Sequence, residues 1–185
     1  MTQPLGEDGP AVLPDDEGGG RASARHPRAA GRRRITHNTG PERFLAARKR
    51  ATGFSTALAA RGLEPHGGVR FGEWSEQWGR EAAAQLLADR PDLDAIFCGS
   101  DQIARGVGDT LHAAGRRIPG DVALVGFDNW EPMALGAQPP LTSVDMCLEE
   151  VGRAAAGLLL AAIADEPARG VLIVPSRLVV RQSSR

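Results

Sequence analysis

The chain has 185 residues, enough for one sizeable core or for two small lobes sharing a connection. A formal net charge of −1 argues against a surface built to neutralise phosphates, and 4% aromatics without tyrosine argue against an extended base-stacking platform. No apolar run approaches the ~20 residues that span a bilayer.

Residues 1–10 have turn composition and no periodicity, so they are expected to be disordered. The start is acidic and Gly/Pro-rich, with no basic region followed by an apolar core, and does not read as a secretory signal. From Asp16 a helix can run toward Ala30, but Pro27 falls inside it and removes a backbone donor. A strand is expected around Arg34–Asn38, with polar residues where an apolar run is usual. Phe44, Ala47, Ala51, Phe54 and Leu58, spaced by three and four, mark one face of a helix from about Glu42 to Arg61, which Gly62 ends. Val69–Phe71 reads as a short strand, and Ser75 as the N-cap of a helix to Ala88 whose first turn carries Glu76.

The run from Ala95 to Asn129, AIFCGSDQIARGVGDTLHAAGRRIPGDVALVGFDN, is strand, loop, helix, loop, strand. Ala95–Cys98 and the stretch from Val122 are apolar runs, as in strands buried on both faces of a parallel sheet. Cys98 and Cys147 lie far apart in sequence, and a reduced, cytoplasmic setting is the simpler reading. Beyond Asn129 an irregular stretch to Pro140 precedes an extended segment Leu141–Met146 and a helix from Leu148 to Ala164. Strands at Val171–Val174 and Leu178–Arg181 close the chain. Alternating strands and helices predict right-handed βαβ units, hence an α/β fold with a parallel sheet. Ligands in such sheets sit beyond the carboxyl ends of the strands. Asp101 and Asp128, in the loops after two strands, therefore share one edge suited to hydroxyl or amine donors.

Several of these motifs, in order, resemble the effector domain of the lactose-repressor (LacI/GalR) family of bacterial transcription regulators. They are Asp15-Asp16-Glu17 before three glycines, Thr39-Gly40-Pro41 before ARKRATGF, GEWS around Trp74, SDQIARG, RIPGDVALVGFDN, PPLTSV and the closing RLVVR. The resemblance runs from about Pro14 to the end. It implies a periplasmic-binding-protein-like (type I) lobe, a small-molecule effector, homodimers in the intact family and no cofactor. It also divides the chain: residues 1–13 as a disordered or remnant N-terminus, 14–129 as the effector-binding lobe, 130–170 as the crossover and helix of a largely missing second lobe, and 171–185 as return strands. A DNA-binding headpiece is expected to be absent from this chain, so operator binding is not expected of it alone.

Five side chains are candidates for the effector site. Asp128 follows a buried strand at a turn, where the alternative role is to stabilise that turn. Asp101 is either near the effector or the N-cap of its helix, and the two roles can coexist. The resemblance places Arg50 as the arginine that grips the effector, against the alternative of one more solvated arginine beside Arg43, Arg48 and Lys49. It places Trp74 as the aromatic that stacks on the ligand ring, against simple core packing, and Asp15 at the cleft edge. An aromatic, acids and an arginine together suit a sugar; a nucleoside or purine is the less favoured ligand.

The four histidines are dispersed without metal-ligand spacing, and no nucleophile–base pair or Gly-x-Ser-x-Gly elbow is present, so an enzyme is not expected. Two other readings stay open: a stand-alone sugar-binding protein, which needs an export signal and two complete lobes, and a truncated, nonfunctional remnant. The helix 148–164 carries Val151, Ala155, Leu158, Leu159 and Ala162 as an apolar stripe, which predicts self-association.

Overall fold

The computed structural model describes residues 9–166 and 168–185. In chain order the first elements are β1 (Ala11–Pro14), α1 (Asp16–Ala29), β2 (Ile35–Thr39), α2 (Leu45–Ala59), β3 (Val69–Phe71) and α3 (Glu76–Asp89). They are followed by β4 (Ala95–Cys98), α4 (Asp101–Ala113), β5 (Ala123–Asp128), α5 (Glu131–Gly136), β6 (Thr142–Asp145), α6 (Leu148–Ile163), β7 (Val171–Val174) and β8 (Arg177–Val179). Six strands form one sheet in the order β3-β2-β4-β5-β6-β8, parallel except for β8, which pairs antiparallel with β6.

Two apolar cores follow from the alternation of side chains along a strand. Ala95 and Phe97 of β4 face one way, joining Ile35, Phe54, Leu58, Val125 and Phe127 beneath α1 and α2. Ile96 and Cys98 face the other way, joining Leu86, Ile103, Leu111 and Leu124 beneath α3 and α4. On each face the helices cross with backbone against backbone. A Cβ added at Gly20 would lie 2.3 Å from the Arg50 carbonyl oxygen, and one at Gly53 would lie 2.0 Å from that of Glu17. Gly79 and Gly106 repeat the arrangement between α3 and α4, against the carbonyls of Ile103 and Glu76. The close α1–α2 approach is accompanied by a 2.8 Å bond from Arg50 of α2 to Asp16 of α1.

Several boundaries differ from the sequence expectation. Pro27 does not break α1, because it lies in the last turn and costs only the ladder bond to Ser23. The polar strand β2 is central and fully buried: the Thr36 hydroxyl donates to the Gly68 carbonyl, and His37 bonds the Phe97 carbonyl and stacks on the Phe97 ring at 4.1 Å. The stretch after Asn129 is not wholly irregular, since Glu131–Gly136 forms the short helix α5 with Pro132 in its first turn. Helix α4 is capped by Ser100, whose hydroxyl accepts from the Ile103 N–H at 3.2 Å, and not by Asp101.

The expected disorder at residues 1–8 lies outside the described residues, whereas Ala11–Pro14 of the N-terminal stretch is a strand. It pairs in parallel with β7, Ala11 opposite Val171 and Val12 opposite Leu172. Consequently β7 is not a return strand of the main sheet; only β8 is. Helix α6 packs against β1 with Val151, Ala154, Leu158 and Ala161 half-buried, while Ala155, Leu159, Leu160, Ala162 and Ile163 are exposed. The expected stripe is thus split: Val151 and Leu158 turn inward, and the exposed face is carried by Leu159, Leu160 and Ile163. Among the described residues no helix is long and apolar enough to cross a membrane.

Candidate functional site

Arg50 sits on the buried face of α2, 5% exposed, where the main sheet ends at its carboxyl edge. Its Nε donates to Asp16 Oδ1 of α1 at 2.8 Å, and its Nη1 donates to the Gly99 carbonyl after β4. Nη1 also lies 3.5 Å from Asp128 Oδ1, and Nη2 lies 3.5 Å from the Met146 sulfur. The guanidinium stands 3.6 Å over the Phe127 ring and 5.6 Å from the Trp74 ring centroid. A planar fork of donors is what lets one side chain tie together α1, α2, and the loops after β4, β5 and β6.

Asp128 ends β5 with φ 103° and Asn129 follows with φ 51°, both in the left-handed region that side chains disfavour. The Asp128 side chain is 30% exposed and borders an open depression of about 410 Å³ lined by Asn129, Trp130, Glu131, Asp145, Met146 and Leu148. Burial pushes its carboxyl up to about 6 against the nearby Arg50 charge, with Asp16 adding to the rise and the Asp101 N–H opposing it. Trp74 is half-buried, edge-on to Phe44 at 6.2 Å and flat against Gly40, where any Cβ would strike the indole.

The structure therefore brings Arg50, Asp128 and Trp74 to one corner. Asp101 lies one layer beneath, 1% exposed, with both carboxyl oxygens engaged by protein donors. Burial pushes it up to about 7, against the bonds from Ser143 and Trp130. Asp15 is the N-cap of α1, accepting from the Gly18 N–H at 2.7 Å, with Arg21 at 3.9 Å. The acid that reaches Arg50 is its neighbour Asp16, which sequence reasoning passed over; an acid in the first turn of a helix has a dipole role that hides a tertiary one. Ser143, Met146 and Arg181 were also missed, and nothing in their spacing marks them. Asn38 and Thr39, at the carboxyl end of β2, bury an amide and a hydroxyl that find no hydrogen-bond partner among the described residues. Nor, among the described residues, is any group of three or more His, Cys, Asp or Glu placed to hold a metal ion.

Residues 24–184 match the periplasmic binding protein-like domain. The HTH-type transcriptional regulator CelR of Thermobifida fusca is 38% identical over 171 residues, covering 91% of this chain and 50% of that protein. A solved complex of transcriptional regulator CelR with cellobiose superposes with a TM-score of 0.89 at 37% identity, over 97% of this chain and 56% of that one. A lac repressor dimer bound to operator and the anti-inducer ONPF superposes with a TM-score of 0.87 at 26% identity, over 94% of this chain and 60% of that one. The chain thus spans about half the length of the curated relatives it matches. Those relatives are transcriptional regulators and operon repressors.

Proposed function

Since the chain belongs to the periplasmic binding protein-like family that forms the effector-binding domain of lactose-repressor-type regulators, we propose that its Arg50–Asp128–Trp74 corner recognises a sugar. The observation that carries this reading is the half-open Asp128 carboxylate, held at a strand end beside a buried arginine and bordering a depression. Sugar hydroxyls are donors that such a carboxylate accepts, and a charged acceptor contributes roughly 1.5–3 kcal/mol per bond. An indole face suits the C–H groups of a pyranose. Arg50 has Nε and Nη1 engaged by Asp16 and Gly99, so its main part is to hold the corner and polarise Asp128, with Nη2 left beside the Met146 sulfur.

The small β1–β7 sheet with α6 is, on this reading, the beginning of a second lobe, and the effector lies between it and the main sheet. Binding then biases the two lobes toward one relative arrangement, which a dimer of the complete regulator transmits to operator DNA.

Titration calorimetry with a panel of mono- and disaccharides headed by cellobiose, and with nucleosides, tests the reading. Saturable binding of one sugar, weakened roughly ten-fold or more by Asp128→Asn, is expected. Silence across the sugars with binding of a nucleoside would replace the ligand class, and silence throughout would remove the function.

A further inference from the structure

Asp101 was a candidate ligand contact, yet its surroundings give it different work. It is the first residue of α4, and its side chain turns back under the loop that follows β5. Oδ2 accepts from the Trp130 N–H at 2.8 Å, and Oδ1 accepts from the Ser143 hydroxyl at 2.6 Å. The Ser143 oxygen in turn accepts from the Asn129 N–H at 3.0 Å. Two successive amides of the Asp128–Trp130 turn are therefore held by one carboxyl group, directly and through one hydroxyl. From the far side Arg181 donates to Asn129 Oδ1 at 2.8 Å and to the Leu141 carbonyl at 2.7 Å. Room for the carboxyl is provided by Gly126, where a Cβ would stand 2.3 Å from Asp101 Oδ1.

What is held is strained. Asp128 at φ 103° and Asn129 at φ 51° are consecutive non-glycine residues in the left-handed region, and strain of this kind costs on the order of 1–3 kcal/mol per residue unless the surroundings impose it. Asp101, Ser143 and Arg181 are those surroundings. We infer that Asp101 is a positioning residue: it clamps the Asp128–Trp130 turn to the head of α4, so that Asp128 offers its carboxylate to a hydroxyl-bearing ligand, while Asp101 itself touches none. Its 1% exposure and doubly engaged oxygens leave no face for a ligand. The ligand half of the inference rests on the proposed sugar site; the clamp does not.

The test has two arms on the full chain. Hydrogen exchange of the ligand-free protein, followed by mass spectrometry, compares wild type with Asp101→Ala, Asp101→Asn and Ser143→Ala. Loss of protection of roughly ten-fold or more is expected in peptides covering residues 127–134 of Asp101→Ala, with the β2 and β4 peptides unchanged. Asp101→Asn, whose amide oxygen still accepts from Trp130, keeps most of that protection. If Asp101→Ala does not fold, Ser143→Ala carries the comparison; unchanged exchange at 127–134 overturns the clamp. The second arm is a double-mutant cycle read by cellobiose affinity. Asp101→Ala should weaken binding roughly ten-fold in the wild-type background and less than about two-fold beside Asp128→Ala. Equal losses in both backgrounds would show that Asp101 acts independently of Asp128 and overturn the positioning role. A wild type that binds no sugar counts against the proposed function, and the exchange arm then decides the clamp alone.

Discussion

His37 offers the sharpest measurement of how this core is built. Its imidazole is fully buried, stacked on Phe97 and tilted against Phe54. Nδ1 is bonded to the Phe97 carbonyl, and Nε2 has no partner among the described residues. Burial drives the pKa down to about 3, with the Arg50 charge pushing the same way and the Phe97 bond opposing. In the unfolded chain the ring titrates near the ordinary 6.5. Below that value the unfolded state takes up a proton that the folded state refuses. The stability His37 contributes is therefore complete above about pH 6.5 and lost as pH falls toward 3. Between pH 7 and pH 5 the difference amounts to about 2 kcal/mol at 1.36 kcal/mol per unit. Asp101 and Asp128 act in the opposite direction, because their raised values favour the folded state in acid. The wild-type profile alone is thus a sum of opposing slopes, and His37→Phe isolates one of them. Urea unfolding of both proteins at pH 7 and pH 5 gives the comparison. The wild type should lose about 2 kcal/mol more than His37→Phe over that interval. Equal losses would mean that His37 is not a buried neutral ring, and the account of β2 as a buried polar strand would fall with it.

Four further outcomes are expected. Asp101 has its carboxyl raised to about 7, so its contribution is complete below pH 4 and declines as pH rises through 7. Wild type should accordingly lose about 2–3 kcal/mol between pH 5 and pH 8 that Asp101→Asn does not lose, read by the same urea titrations. Asp16→Ala leaves the buried Arg50 guanidinium without its 2.8 Å partner and should destabilise by about 3 kcal/mol or more in chemical denaturation. Gly53→Ala drives a methyl into the Glu17 carbonyl at the α1–α2 crossing; a loss of about 3 kcal/mol in thermal unfolding is expected, and a loss near zero would contradict the close packing. Leu159, Leu160 and Ile163 are 62–71% exposed on α6, so the chain should self-associate with rising concentration in sedimentation velocity, and Leu159→Glu with Leu160→Glu should leave it monomeric.

Much of the architecture was legible in the chain because it depends on local periodicity. Apolar residues at three- and four-residue spacing announced α2, and short apolar runs announced β4 and β5. Ser75, a hydroxyl just before an acidic first turn, marked the start of α3, where it indeed accepts from the Trp78 N–H at 3.1 Å. Asp128 stood out as a turn residue after a buried strand, whereas Arg50 stood among Arg43, Arg48 and Lys49 and was singled out only by the family resemblance.

What escaped was decided by partners remote in sequence. Asp16 and Asp15 are adjacent acids at one helix start, and only the glycine-mediated approach of α1 to α2 selects Asp16 to face Arg50, 34 positions away. Ser100 and Asp101 both suit an N-cap, and the choice falls to Ser100 because the Asp101 carboxyl is drawn beneath the β5 loop by Trp130 and Ser143. Likewise β7 has the composition of any short buried strand, and its pairing with β1 rather than with the main sheet depends on where α6 carries the chain. Periodicity encodes which face of an element is buried, whereas the partner that buries it is chosen by packing. For this protein, the elements and the sheet edge that carries the proposed site come from the first kind of information. The clamp on Asp128 comes from the second.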